Sequence, residues 1–275
     1  MGALYVVGTP IGNLEDLSPR ALRVLKEVSL VAAEDTRKTG ALFSRFDIHT
    51  PLTSYFEHNK LRKLDAILEA LAQGDVALVS EAGMPGLSDP GYELIRAAIQ
   101  AGFSVVPIPG PVAAITALVV SGLPTDSFVF LGFLPRKASD RRRVLQEIAT
   151  EKRTLVLYEA PHRLADCLAD IEAALGDRLI AVARELTKLH EEIYRGTVRG
   201  AREHFAPEGR GEVRGEITLV VGGATQDSAT WDEERVRRAL SEALASGLER
   251  KEAVHQVVQA SGWPRRQVYR LALES

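Results

Sequence analysis

Residues 76–110 read VALVSEAGMPGLSDPGYELIRAAIQAGFSVVPIPG. The stretch opens on an apolar run at 76–80, too short for a helix and suited to a buried strand. An eleven-residue loop follows at 81–91, with three glycines, two prolines, Glu81, Ser88 and Asp89. Residues 92–101 then carry helical periodicity and stop at Gly102, a residue suited to a helix C-terminus. Residues 104–108 are a second apolar strand, closed by Pro109-Gly110-Pro111. Strand, helix and strand in this order make a crossover unit, which predicts parallel pairing.

The rhythm extends in both directions. Towards the N-terminus, residues 4–7 and 30–33 are strand-like. Ser18-Pro19 is a helix start, with serine as N-cap and proline in the first turn. Leu61, Leu64, Leu68 and Leu71 mark one helix face before Gly74. These elements predict a mostly parallel sheet covered on both sides. Towards the C-terminus, a small-residue helix at 112–121 precedes a break near Gly122-Leu123-Pro124. Beyond it lie strands at 128–131, 154–158, 179–183, 192–195 and 216–221, with helices at 140–148 and 164–175. The expected organisation is two α/β domains, 1–122 and 123–222, then a polar linker at 223–230. The tail, 231–275, has no strand signal. Helices near 232–245 and 250–260 and a third opened by Pro264 make it helix-turn-helix-like.

Composition limits the function classes. A hydrophobic content of 45% over 275 residues supports a two-domain body. One cysteine, Cys167, excludes an intrachain disulfide, and its place in an apolar helix stripe marks it as a small buried hydrophobe. No signal-peptide pattern opens the chain, and no apolar run reaches the ~18 residues of a membrane span. A cytoplasmic protein is expected. The net charge of −3 argues against a polyanionic partner. Arg136, Lys137, Arg141, Arg142 and Arg143 crowd one stretch, however, and Arg250, Lys251, Arg265, Arg266 and Arg270 decorate the tail. Either set reads as a solvated face or as contacts to a phosphate backbone. The six histidines have no metal-ligand spacing, no G-x-S-x-G elbow is present and no P-loop is present. No metal site is expected.

Three loops follow strands, where open α/β sheets bind ligands. Gly8-Thr9-Pro10-Ile11-Gly12-Asn13 is not a dinucleotide fingerprint and, taken alone, reads first as a plain turn. The 81–91 loop exceeds the usual connection of about 4–6 residues, which favours a binding role. Pro109-Gly110-Pro111 before a small-residue helix is either a rigid turn or an anion-binding helix start. Glu34-Asp35-Thr36-Arg37-Lys38 and Tyr158-Glu159-Ala160-Pro161-His162-Arg163 are polar runs after strands. Each also reads as an ordinary helix start.

Taken together, LYVVGTPIGNLEDLSPRAL, AAEDTRKTGALF, SYFEHN, VSEAGMPGLSDPG, PIPGPVAAITALVVSGLP, FLGFLPRK, LYEAPHRL, ARELTKLHEEIYRGT and GEITLVV resemble, in this order, the tetrapyrrole-methylase superfamily. The resemblance is strongest to its ribosomal RNA branch. It runs from Leu4 to Val221, with one departure: Glu81 stands where relatives are expected to carry aspartate. It implies two αβα domains, S-adenosylmethionine in the cleft between them, and a homodimer. It also implies 2′-O-methylation of a cytidine ribose in 16S rRNA of the 30S subunit. Carried over by motif, the cofactor would touch Pro10, Ile11, Ala82, Gly83, Met84, Leu87, Val112, Ala113, Tyr158, Glu159 and Gly196.

Residue type and loop position nominate Asp35, Glu81 and Glu185 as proton acceptors. Arg37, Lys38, Arg136, Lys137, Arg163, Arg184, Arg265 and Arg266 are nominated as RNA contacts. Two other readings stay open: carbon methylation of a tetrapyrrole, and a non-catalytic RNA- or ribosome-binding protein.

Overall fold

The structure is a computed structural model that describes residues 2–206, 213–224, 233–261 and 263–274. Residues 1–223 form one compact unit and residues 224–275 another. Most of the expected linker, 225–230, and the first two residues of the tail, 231 and 232, lie outside the described residues.

The first sheet contains β1 (Ala3–Val7), β2 (Leu30–Ala33), β3 (Leu52–Ser54), β4 (Val76–Val79) and β5 (Ser104–Ile108). Its order is β3-β2-β4-β1-β5, and every pair is parallel. Side-chain alternation divides the strands between two cores. Val7, Val31, Ala77 and Val79 meet Ala21, Val24 and Leu25 of α1 (Pro19–Glu27) and Phe43 of α2 (Thr36–Phe46). Leu4, Ala32, Val76 and Leu78 meet Ile67 and Leu71 of α3 (Lys60–Gln73) and Leu94 and Ala98 of α4 (Tyr92–Gln100). All four residues of β4 are buried, which is why this strand reads as an unbroken apolar run.

Several local signals behave as chemistry requires. Ser18 Oγ accepts from Ala21 N at 3.0 Å and starts α1. Gly102 follows α4 at φ +80, and the Phe103 N–H reaches back to Ala98 O. Gly74 ends α3 in extended backbone instead of the left-handed form. The sequence pattern marks neither β3 nor the helix α8 (Val198–His204), and α2 shows in it only as a candidate helix start.

The second sheet contains β6 (Phe128–Phe133), β7 (Thr154–Glu159), β8 (Leu179–Arg184), β9 (Glu192–Thr197) and β10 (Ile217–Val221), in the order β6-β7-β10-β8-β9. Only β6 and β7 run parallel; β10 enters antiparallel between β7 and β8, and β9 is antiparallel to β8. One face packs on α6 (Ala138–Glu147), α7 (Leu164–Leu175) and α8. The other face, Val156, Ala181, Ala183 and Val220, is covered by Ala114, Ala117 and Leu118 of α5 (Ala113–Val120). A helix that follows the first sheet in sequence therefore completes the second. Burying a Val- or Leu-sized side chain there stabilises by about 1.5–3 kcal/mol.

The second unit holds α9 (Glu233–Ala245), α10 (Arg250–Ser261) and α11 (Arg265–Glu274). Val236, Leu240, Val254, Val257, Val268 and Leu271 form its core. Among the described residues, no helix is long and apolar enough to cross a membrane.

A buried charge cluster ties α6 to α7. Arg141, 4% exposed, sends Nε to Asp170 Oδ2 at 2.7 Å, and Arg142 Nε reaches Oδ1 at 2.7 Å. Asp170→Asn leaves a buried guanidinium without its counter-charge. The expected loss is about 3–5 kcal/mol of stability, read as a lower urea midpoint.

Candidate functional site

Three loops at the strand ends of the first sheet are laced together through their backbones. Thr9 N donates to Gly83 O at 2.9 Å and Gly83 N to Thr9 O at 3.1 Å. Gly8 crosses Gly110 so closely that a Cβ on Gly8 would lie 2.7 Å from Gly110 Cα. Two of the glycines thus serve close approach, and Gly83, at φ +80, supplies the backbone form that other residues resist. Ser80 Oγ donates to Ala82 O at 3.2 Å, fixing the start of the second loop.

These loops border a cavity of about 380 Å³. Ile11, Ala82, Gly83, Met84, Leu87, Val112 and Ala113 contribute from the first half, and Phe133, Tyr158, Glu159 and Ile217 from the second. Tyr158 spans the two: its hydroxyl accepts from Ala114 N at the start of α5, at 3.3 Å. Phe130 and Phe133 pack against the Tyr158 ring with centroids 5.2 and 5.5 Å away. Burial pushes the Tyr158 phenol upward, so it stays protonated.

The polar lining is one-sided. Glu34, Glu81, Asp89, Glu159 and Glu216 line the cavity, and its lining includes no lysine or arginine. Burial, reinforced by the charge of Glu34, raises Asp89 to about 6, against the opposing hydrogen bond of Ser80. Burial also raises Glu34, whose Oε2 accepts from Glu81 N at 3.1 Å. The fully buried Glu159 side chain accepts from Ala160 N at 2.8 Å and faces Arg163 Nε at 3.2 Å. Apolar walls with a rim of carboxylates suit a compact organic ligand that carries positive charge.

Of the residues nominated for cofactor contact, Ile11, Ala82, Gly83, Met84, Leu87, Val112, Ala113, Tyr158 and Glu159 come together on this cavity. Pro10 faces a neighbouring cavity instead. Gly196 does not line it and sits within β9, paired with Ile180 of β8. Among the nominated proton acceptors only Glu81 lines the cavity; its carboxylate pairs with Lys38. Asp35 is spent as the N-cap of α2: the Arg37 N–H, at 2.9 Å, and the Lys38 N–H hold it below its ordinary value. Glu185 also lies off the cavity. Burial works to raise it, but the Lys188 ammonium at 2.8 Å and the Glu216 N–H at 3.0 Å outweigh that and keep it low.

The nominated cations also divide. Arg37, Arg136, Lys137, Arg265 and Arg266 are exposed. Arg163 is largely buried, donating to Leu134 O at 3.0 Å and Pro135 O at 3.1 Å, so it holds its own chain in place. Arg184 is engaged by Glu192 at 3.1 Å and Arg214 O at 3.1 Å.

Glu34, Asp89, Phe133 and Glu216 were missed as lining residues. Asp89 lay inside the 81–91 loop, and Glu34 beside the nominated Asp35, so both had a readable signal. Glu216 had none: as the first residue of the expected strand at 216–221 it reads as strand, and it stands just before β10 (Ile217–Val221). Antiparallel pairing of Ile217 with Glu159 brings it to the site. Among the described residues, no group of three or more His, Cys, Asp or Glu side chains is arranged to hold a metal ion.

The class of these two α/β layers is given by the sequence that builds them: residues 3–201 match the family model for Tetrapyrrole (Corrin/Porphyrin) Methylases. Solved structures agree in fold. Cobalt precorrin-4 methyltransferase CbiF superposes with a TM-score of 0.60 at 16% identity, over 80% of this chain and 94% of that one. A uroporphyrin-III C-methyl transferase from Thermus thermophilus, complexed with S-adenyl homocysteine, gives 0.54 at 22%, over 80% and 97%. Curated relatives are nearer in sequence. A Ribosomal RNA small subunit methyltransferase I from Synechocystis sp. is 49% identical over 100% of this chain and 98% of its own length. One from Thermotoga maritima is 47% identical over 224 residues, 81% of this chain and 99% of that relative. The chain belongs to the tetrapyrrole-methylase family, in the group of the ribosomal RNA small subunit methyltransferase I proteins.

The raised carboxyl gives a pH signature. Asp89 holds its proton in the folded chain up to about pH 6, whereas its ordinary value is 3.8. Its contribution is therefore complete below pH about 3.8 and is lost as pH rises through about 6. Asp89→Asn is expected to flatten the stability profile between these values. At pH 7 the variant should be more stable than wild type by roughly 1–2 kcal/mol after solvent screening, measured by urea denaturation.

Proposed function

We propose that the protein is an S-adenosylmethionine-dependent methyltransferase that methylates the 2′-oxygen of a cytidine ribose in 16S rRNA, acting on the 30S subunit or its RNA in the cytoplasm. The observation that carries this reading is the carboxylate-rimmed, cation-free cavity between the two sheets, in a chain whose full-length relatives bear the name of ribosomal RNA methyltransferases. S-adenosylmethionine is compact, partly apolar and cationic at sulfur, and when bound it supplies an activated methyl group. The lobes 1–122 and 123–222 would hold it from two sides, with Ile11, Met84, Val112 and Ala113 against its apolar parts and the carboxylates near its positive charge.

The chain's own part is to orient the acceptor, exclude water and take up one proton. As the ribose oxygen would bond to the methyl carbon, the carbon–sulfur bond would break and leave its electron pair on sulfur as a neutral thioether; the hydroxyl proton passes to a carboxylate, and Glu81 is the nominated acceptor because it lines the cavity. Alignment of the reacting atoms is worth up to about 7–11 kcal/mol, and base assistance about 10²–10⁴-fold. Arg37, Arg136 and Lys137 would hold phosphates, with Arg265 and Arg266 of the helical unit adding to the RNA footprint. The Thermotoga maritima relative, matched over nearly its whole length by 224 residues, is too short to hold that unit as well. This favours residues 1–223 as the catalytic part. The exposed Ile115 and Val119, one turn apart on α5, favour a second copy of the chain as their cover.

Labelled methyl is expected to pass from S-adenosylmethionine to unmodified 30S particles and not to uroporphyrinogen, with digestion yielding 2′-O-methylcytidine. Transfer to neither acceptor would remove the reading. Glu81→Gln should slow single-turnover methylation by about 10²-fold, with cofactor affinity by calorimetry changed only a few-fold. Val119→Asp should shift the protein from dimer to monomer in sedimentation.

A further inference from the structure

A second cavity of about 270 Å³ adjoins the first. Loop 8–13 contributes to both: Ile11 lines the first cavity, while Pro10 and Gly12 on either side of it line the second. Glu81 lines both. Leu14, Ala41 and Leu42 add apolar surface to its lining, and Thr9, Thr39 and Ser80 add hydroxyl-bearing residues. Lys38 also lines it and is paired with Glu81.

We propose that this second cavity seats the target nucleoside, base and ribose together, turned out of the RNA. The proposal rests on the methyltransferase reading above and locates its acceptor. Transfer requires the attacking oxygen within about 3–3.5 Å of the methyl carbon, so the acceptor must occupy space that opens onto the cofactor cavity. Glu81 lines both cavities, which places the passage from one to the other beside its side chain. A third cavity, around Lys26, Asp47, His49 and Pro51, has no lining residue in common with the first. Enzymes that act on one nucleotide draw it into a snug pocket with apolar faces for the base, and Pro10, Leu14 and Leu42 supply such faces here.

The ion pair gives the pocket a second task. A phosphate arriving beside the ribose competes with Glu81 for Lys38. Lys38 then holds the phosphate, and the Glu81 carboxylate is released at the passage between the cavities, next to the 2′-hydroxyl. Substrate entry would so unmask the proton acceptor.

The test fills the pocket without touching the cofactor cavity. Ala41 and Leu14 are both exposed, so Ala41→Trp and Leu14→Trp place bulk in the opening with little demand on the core. Each variant is compared with wild type by calorimetry with S-adenosylmethionine and by kcat/KM on unmodified 30S particles. The expected result is a cofactor Kd within about twofold of wild type and a fall in kcat/KM of about 100-fold or more. Wild-type kcat/KM in both variants overturns the pocket assignment, as does loss of cofactor binding in both. Wild-type protein that binds the cofactor but transfers nothing to 30S particles overturns the parent reading instead.

Discussion

The packing of α5 against the second sheet is the contact on which the site depends. Ala114, Ala117 and Leu118 cover Val156, Ala181, Ala183 and Val220, so the helix that ends the first half is part of the second half's core. Its start is pinned by the Tyr158 hydroxyl and its end by Arg195, whose Nε donates to Val120 O at 2.9 Å. Small residues along the buried side let helix and sheet approach closely, which sets the width of the crevice beside Val112 and Ala113. Apolar residues around the helix follow from this position: one side meets a sheet, and Ile115 and Val119 remain exposed on another.

Charge is partitioned with similar economy. The cavity collects carboxylates, and Lys38, Arg163 and Lys188 stand outside its lining as counter-charges to Glu81, Glu159 and Glu216. Much of the chain's positive charge is committed elsewhere: Arg141 and Arg142 to Asp170, Arg199 and Arg202 to Glu172, Arg178 to the carbonyl groups of Leu175 and Gly222. A count of basic residues therefore overstates what is available to a polyanion. The basic stretch at 136–143 contains the difference, because Arg136 and Lys137 are exposed while Arg141 is inside the protein.

The α/β class and the three loops of the first half were legible because parallel crossover units write themselves locally: apolar run, loop, helix face, glycine stop. The second half was less so. Its strands were visible, but β10 runs against β7, and nothing local encodes that reversal. The reversal carries Glu216 to the site from the beginning of a strand, where rules for parallel sheets do not look. Asp35 and Glu185 were chosen for being acidic beside a strand end. Helix capping and a lysine had the stronger claim on them. The short β3 offers three residues and no periodicity, which leaves a sequence pattern nothing to register.

The Thr9–Gly83 bridge and the Gly8–Gly110 crossing have a consequence for turnover. Loops stitched to one another during folding have already surrendered their conformational entropy, so a ligand need not supply it on arrival. Such a crevice stays assembled between cycles, and exchange of spent for fresh cofactor becomes a matter of passage through its mouth, with no rebuilding of its walls.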